Sequence, residues 1–467
     1  MTTDAAGPPA ERDPQAARTI HPLTAPPDVT VRVPGSKSLT NRALVAAALA
    51  RGTSRLTGVL FADDTEAMLG CLVALGIELH VDRDAEVVEV VGCGGVIPVA
   101  EASLDVRLSG TTARFVAPLL AAATGRFRLD GGAPFRLRPM GPVLDALTAL
   151  GADVVALGEP GHLPVQVVAH GARGGTVEVA GDRSSQFLSG LLLVAPVLAD
   201  GLRIRVTGSL VSEPYVRLTL DVLEAFGARV DPIAGGSGTE GAGAGARDAD
   251  APGGTRGFDV PGGGYEATDY AVEPDASAAS YPLAAAAITG GRVRVAGLHA
   301  GARQGDAAFA RVLERMGAEV RIDAHGTEVR GTGRLSGIDV DLGPMSDTAQ
   351  TLATVATFAT GPTRVRGIGF IRAKETDRIA AVVTELRRCG ITATEDDDGF
   401  TVHPGIPTPT AIATYDDHRM AMSFALLGLV HDGITILDPG CVAKTFPGYY
   451  DLLEQLRVPG DHTDPTN

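Results

Sequence analysis

A short polar opening, an Ala/Leu-rich stretch of helical character, a glycine, and then alternating apolar and polar positions recur in that order six times along the chain. The copies are PGSKSLTNRALVAAALARGTSRLTGV from Pro34, LSGTTARFVAPLLAAATGRFRLDG from Leu108, DRSSQFLSGLLLVAPVLADGLRIRVTG from Asp182, PDASAASYPLAAAAITGGRVRVAG from Pro274, MSDTAQTLATVATFATGPTRVRG from Met345 and YDDHRMAMSFALLGLVHDGITILDP from Tyr415. The glycines closing the helical stretches are Gly52, Gly125, Gly201, Gly291, Gly361 and Gly433, at intervals of 73, 76, 90, 70 and 72 residues. A second pattern keeps the same spacing: CLVALGIELHV, VLDALTALGADVV, TLDVLEAFGARVD, RVLERMGAEVRI and ELRRCGITAT each read as a helix closed by glycine and followed by a strand. The sixth copy, DLLEQLRV, lacks the glycine. Each repeat therefore predicts two helices and several strands, which places the chain in the α/β (α+β) class.

The one stretched interval contains GGSGTEGAGAGARDADAPGG, residues 235–254, a low-complexity segment expected to form a surface loop between the third and fourth repeats. Two domains of three repeats each follow, dividing within residues 235–272, and a cleft between similar domains is a natural place for a ligand. The N-terminal MTTDAAGPPAERDPQAAR is rich in Pro and Ala, has mixed charge and lacks an apolar segment, so residues 1–20 are expected to be a disordered tail. The mostly apolar, uncharged stretch Leu188 to Ala199 is too short to span a bilayer. A cytoplasmic protein with no membrane partner is the expectation.

Composition sharpens this picture in two places. With 40 basic and 56 acidic residues the net charge is −16, and there is no Trp, which disfavours nucleic acid as a partner. Cys71, Cys93, Cys389 and Cys441 show no paired spacing, which disfavours a zinc site or a disulfide framework. Of the basic residues 37 are Arg and only three are Lys: Lys37, Lys374 and Lys444. An ammonium differs from a guanidinium in being a compact point charge that can move a proton, so these positions are candidate chemistry.

The helix openings carry Lys37; Gly110, Thr111 and Arg114; Ser184, Ser185 and Gln186; Asp275 and Ser277; Asp347; and Asp417, His418 and Arg419. Exposed N–H groups and the helix dipole make such starts suited to phosphate or carboxylate. Hydroxyl and acidic residues there are ordinarily N-caps, which accounts for Asp347 and Ser277. Capping does not account for Lys37, Arg114 or Arg419, because a cation near a helix N-terminus opposes the dipole. Arg83, Arg203, Arg292 and Arg334 read instead as side chains lying over apolar surface.

From about Val31 to Val458 the chain resembles the 3-phosphoshikimate 1-carboxyvinyltransferases, a family of enolpyruvyl transferases. The resemblance rests on eight motifs in order: PGSKSLTNRAL from Pro34, SGTTARF from Ser109, LRPMGPVLDAL from Leu137, SSQFLSGLL from Ser184, SEPY from Ser212, KETDR from Lys374, DDHRMAM from Asp416 and AKTFP from Ala443. It implies two inverse α/β-barrel-like domains of three βαβαββ units each. These are residues 35–270 with the loop at 235–254, and residues 21–34 joined to 271–467. The implied reaction transfers the enolpyruvyl group of phosphoenolpyruvate to the 5-hydroxyl of shikimate 3-phosphate and releases phosphate.

The resemblance further implies that shikimate 3-phosphate is bound by Lys37, Ser38, Arg42, Ser184, Ser185, Gln186, Ser212, Tyr215, Asp347 and Lys374. Phosphoenolpyruvate falls to Lys37, Gly110, Arg138, Gln186, Arg378, Arg419 and Lys444. Asp347 is the implied base for the 5-hydroxyl, and Glu375 or Lys37 the acid for the methylene carbon. Neither a metal nor an organic cofactor is called for, the only partners are these small anions, and a monomer is expected. Three positions depart from the family's common residues: Leu108, Glu213 and Phe370. Two rival readings share the fold, a UDP-N-acetylglucosamine 1-carboxyvinyltransferase and a non-catalytic anion-binding homologue. A third, an RNA-end cyclase, would need His418 as a nucleophile, whereas its neighbours suit an orienting role.

Overall fold

Six small sheets, one per repeat, share one design in the computed structural model, which describes residues 16–182, 184–233 and 257–457. In the second repeat Glu101–Asp105 pairs in parallel with Thr124–Asp130, which pairs antiparallel with Val165–His170, itself antiparallel to Asp153–Ala156. The third and fifth repeats are built the same way from consecutive segments. This is the βαβαββ unit expected from the sequence resemblance.

The remaining sheets borrow strands from elsewhere in the chain. In the first repeat the parallel partner of Ala50–Thr57 is supplied by Tyr265–Glu266 and Tyr270–Ala271. In the fourth, Arg292–Ala296 takes Asp28–Val31 as its parallel partner. The sixth pairs Ile434–Leu437 with Thr410–Ile412 in parallel and with Ala17–Ile20 in antiparallel register. Two units result: Pro34–Asp275 with Arg303–Gly305, and Met1–Val33 with Ala276–Ala302 and Asp306–Asn467.

The tail expectation is corrected at its end. Ala17–Ile20 is a strand rather than a disordered segment, Ile20 is buried, and its side chain packs where a Cβ on Gly428 would otherwise stand. Without it the Ile434–Leu437 edge would be left unpaired, which a short alternation such as ARTI does not announce. Residues 1–15 and the glycine-rich segment at 235–254 lie outside the described residues. Three arginines read as lying over apolar surface are ion-paired, Arg83 with Glu66 while also over the Phe61 ring, Arg203 with Asp259, and Arg292 with both Asp28 and Glu328.

Strands such as Leu202–Thr207 alternate buried and exposed residues, so each sheet covers the core with one face only. The first helix of each repeat is different. Ala276–Thr289 is buried nearly all round, as is Lys37–Leu49 from Leu39 onward. A helix apolar on every side belongs inside a unit, and alanine lets three such helices approach closely. Gly190 allows the approach of Ser185–Val194 to Gly110–Leu119, because a Cβ there would lie 2.0 Å from the Arg114 carbonyl oxygen. In the other unit Ser280, Thr351 and Ser423, at equivalent positions of three inner helices, form a chain of hydroxyls with separations of 3.1 and 3.4 Å. The shared βαβ connection runs the inner helices of one unit in the same direction, and so gathers their N-termini. No helix among the described residues is long and apolar enough to cross a membrane.

Candidate active site

In the unit built on Pro34–Asp275, Lys37 opens the helix Lys37–Leu49, and its Nζ lies 3.2 Å from the buried carboxylate of Asp64. Its backbone N–H donates to Asp275 Oδ2 at 3.2 Å. Asp64 in turn belongs to the helix Asp63–Ala74, and its carbonyl accepts the Thr112 hydroxyl at 2.9 Å. This bond ties the Lys37 anchor to the start of the helix Gly110–Leu119, whose Ser109 N-cap accepts from the Thr112 N–H. Asp64 is a site residue that the sequence reading missed. Its signal was an acidic pair opening the second helix of the first repeat, which capping alone would explain.

Around Gly110 the polar side chains converge. A Cβ at Gly110 would stand 3.0 Å from Arg138 Nη2 and 3.1 Å from Arg114 Nη1, so the absence of a side chain is what admits both guanidiniums. Arg114 donates from Nη1 to Gln186 Oε1 at 2.5 Å and from Nη2 to the Pro139 carbonyl at 3.2 Å. Gln186 Nε2 donates to Thr111 Oγ1 at 3.2 Å, and the Gln186 N–H to the Ser184 N-cap at 3.3 Å. Arg114 stacks over Phe187 and Arg138 over Phe135, which holds each planar group in place. The structure thus brings Gly110, Arg138, Ser184, Ser185 and Gln186 to two adjoining helix starts, with Arg114 joining them.

Arg42, expected from the resemblance as a substrate ligand, is held here by neutral acceptors. Its side chain is buried and donates to Thr219 Oγ1, the Ser38 carbonyl, Ser189 Oγ and the Tyr215 carbonyl, with the Phe115 ring beneath it. All four acceptors are neutral, and burial pulls the guanidinium down to about 10. In this structure Arg42 locks the helix carrying Lys37 and Ser38 to the helix Glu213–Ala225, which carries Tyr215. Ser212, just before that helix, has a left-handed backbone with φ 55°.

The other unit holds a denser network. Arg378, the first residue of the helix Arg378–Arg388 and only 2% exposed, donates to three carboxylates. Nε meets Asp417 Oδ2 at 2.7 Å, Nη1 meets Asp347 Oδ1 at 3.0 Å, and Nη2 meets Glu375 Oε2 at 2.8 Å. Arg419 Nη2 donates to the second oxygen of Asp347 at 2.6 Å, and Lys444 Nζ to the second oxygen of Glu375 at 3.0 Å. Burial alone would weaken the Arg378 cation, but Asp417, Glu375 and Asp347 more than reverse this and hold it above its ordinary value. The set balances three cations against three carboxylates.

Asp347 is therefore not the N-cap read from sequence; it sits in the short 3-10 turn Gly343–Thr348, and its carboxylate receives Arg378 and Arg419. Asp417 is a cap, accepting the Arg419 N–H at 2.9 Å, and also the buried partner of Arg378. His418 is buried beside it, with Nδ1 3.6 Å from Asp417. Lys374 precedes Glu375 at the end of the turn Gly369–Ala373. The departures from family residues are accommodated locally: Phe370 packs on the apolar core, and Glu213 pairs with Arg217 on its own helix.

A model of the EPSP synthase (3-phosphoshikimate 1-carboxyvinyltransferase) family matches residues 24–453. The chain belongs to this family. A 3-phosphoshikimate 1-carboxyvinyltransferase of Nostoc punctiforme is 45% identical over 437 residues, covering 94% of this chain and 98% of the relative. One of Photobacterium profundum is 42% identical over 438 residues, covering 92% and 96%. The structure of EPSP synthase from Acinetobacter baumannii superposes with a TM-score of 0.75 at 26% identity, over 94% of this chain and 98% of that one. Among the enolpyruvyl transferases weighed from sequence, the family model matched is that of the EPSP synthases.

Proposed function

We propose that the two clusters serve the enolpyruvyl transfer of the EPSP synthase family, with Asp347 as the general base, Glu375 as the acid that protonates the methylene of phosphoenolpyruvate, and Lys37 as the ammonium beside the reacting carbon. The reaction adds the 5-hydroxyl of shikimate 3-phosphate to phosphoenolpyruvate, gives a tetrahedral adduct and expels phosphate. Shikimate 3-phosphate is assigned to Ser38, Arg42, Ser184, Ser185, Gln186, Ser212, Tyr215 and Lys374. Phosphoenolpyruvate is assigned to Gly110, Arg138, Gln186, Arg378, Arg419 and Lys444, with Lys37 touching both. A monomer working in the cytoplasm is the simplest form of this reading.

The observation that supports it is the double pairing of each carboxylate. Asp347 lies between Arg378 and Arg419, and Glu375 between Arg378 and Lys444, so each of the three cations assigned to phosphoenolpyruvate is paired with one or both of the groups assigned to proton transfer. When an anionic substrate engages those cations, the carboxylates lose part of their electrostatic support and bind a proton more readily. Substrate binding thereby prepares the base and loads the acid. The reading is tested by calorimetric titration of phosphoenolpyruvate into enzyme holding shikimate 3-phosphate, in buffers of different ionisation enthalpy. Net proton uptake is expected, reduced in Glu375→Gln, while Asp347→Asn loses about 10²-fold or more in kcat. No proton uptake together with near-normal turnover of both variants would contradict these roles.

A further inference from the structure

Glu385 lies on the same helix as Arg378, seven residues on, and is fully buried without joining the ion-pair network just described. Its carboxylate accepts the Tyr415 hydroxyl at 2.7 Å on Oε1, and the Ala413 N–H at 3.0 Å with Arg388 Nη1 at 2.5 Å on Oε2. A buried carboxylate is retained at a cost unless donors satisfy it. Two of its three donors come from the segment that runs into Asp417, His418 and Arg419.

The backbone of that segment is unusual. Tyr415 and Asp416 are successive left-handed residues, with φ of 54° and 59°. A side chain with a Cβ resists this conformation, and two in a row persist only where the surroundings hold them. The hold is visible at both ends of one helix. Arg378 at its start grips Asp417, and Glu385, about 10 Å further along the axis, grips Ala413 and Tyr415. Burial and the Glu385 hydrogen bond push the Tyr415 hydroxyl up to about 12, so it remains a donor. The turn is closed from within by the Asp417 N–H on the Thr414 carbonyl at 2.8 Å.

We propose that Glu385 and Tyr415 are positioning residues: their hydrogen bond fixes the strained turn so that Asp417 meets Arg378 and Arg419 meets Asp347. The inference rests on the functional reading above. Neither residue is assigned a substrate contact; the effect passes through Arg419 and Arg378, which are assigned to phosphoenolpyruvate.

The test compares wild type, Tyr415→Phe, Glu385→Gln, Asp416→Gly and the double variant Tyr415→Phe/Asp416→Gly in kcat, in KM for phosphoenolpyruvate, in melting temperature and in amide exchange over residues 413–419. Loss of one hydrogen bond corresponds to about a fivefold change. Tyr415→Phe is expected to raise KM by about that factor with kcat little changed, and to speed exchange in 413–419 while the strand Ile434–Leu437 is unaffected. Glu385→Gln, whose amide NH2 must face either the Tyr415 hydroxyl or the Ala413 N–H, is expected to raise KM at least as much. Glycine adopts the left-handed backbone at no steric cost, so Asp416→Gly in the Tyr415→Phe background is expected to bring KM back to within about twofold of the single Asp416→Gly control. Unchanged KM and exchange in Tyr415→Phe would overturn the proposal, as would a raised KM that glycine does not restore. If wild type itself fails to turn over, the functional reading falls, while the exchange measurement still decides whether the clamp exists.

Discussion

Lys37 shows why an ammonium was retained in a chain that otherwise uses arginine. Its Nζ approaches a single carboxylate, Asp64, at 3.2 Å, whereas a guanidinium at the same place would present a planar fork with further donors to satisfy. Lys37→Arg keeps the charge, yet under the proposed role beside the reacting carbon it is expected to lower kcat by about 10²-fold or more, because a planar guanidinium cannot take the place of a point charge. Steady-state kinetics check this, and near-normal kcat/KM would show that charge alone suffices. The three lysines stood out by composition and took their addresses from the motifs. Asp64 was not legible, since nothing local to FADDTEA says that a lysine 27 positions earlier packs against it. Arg42 was named only as a ligand implied by the resemblance, and its four neutral acceptors are set by the packing of three helices.

At the scale of the element, the helix starts carry more than capping. Ser109, Ser184, Asp377 and Asp417 all accept from the first turn of the helix that follows, as their residue types suggest. Asp417 adds a completely buried pair with Arg378, so its loss leaves a guanidinium short of a partner inside the unit. Asp417→Asn retains the size and part of the capping, yet is expected to cost about 3 kcal/mol or more in stability. Denaturant unfolding checks this, and a change of under about 1 kcal/mol would show that Asp347 and Glu375 compensate. Asp347 was misread as a cap because Asp at a helix start is usually one. Only the fold reveals that its oxygens face Arg378 and Arg419.

For the chain as a whole, the six-fold repetition was readable because each copy repeats both its helix stop and its strand alternation, and the sheets follow that period. What the period could not show is which strands are exchanged. Ala17–Ile20 and Asp28–Val31 complete sheets more than 250 residues away, and only backbone pairing decides that. The glycine-rich stretch is bracketed by the hairpin strands Asp231–Ile233 and Gly257–Val260, with Ile233 opposite Gly257. Because these ends are already held together, removing about 15 residues from 235–254 is expected to change turnover by less than about twofold. A loss of activity with unchanged melting temperature would assign that segment a role in the reaction. The claim on which everything else depends is the reaction itself, and phosphate release measures it most directly. The purified chain is expected to release one phosphate per enolpyruvyl group transferred when given phosphoenolpyruvate with shikimate 3-phosphate. With UDP-N-acetylglucosamine in place of shikimate 3-phosphate it is expected to release none. Phosphate release that requires the nucleotide sugar, or none under either condition, would contradict it.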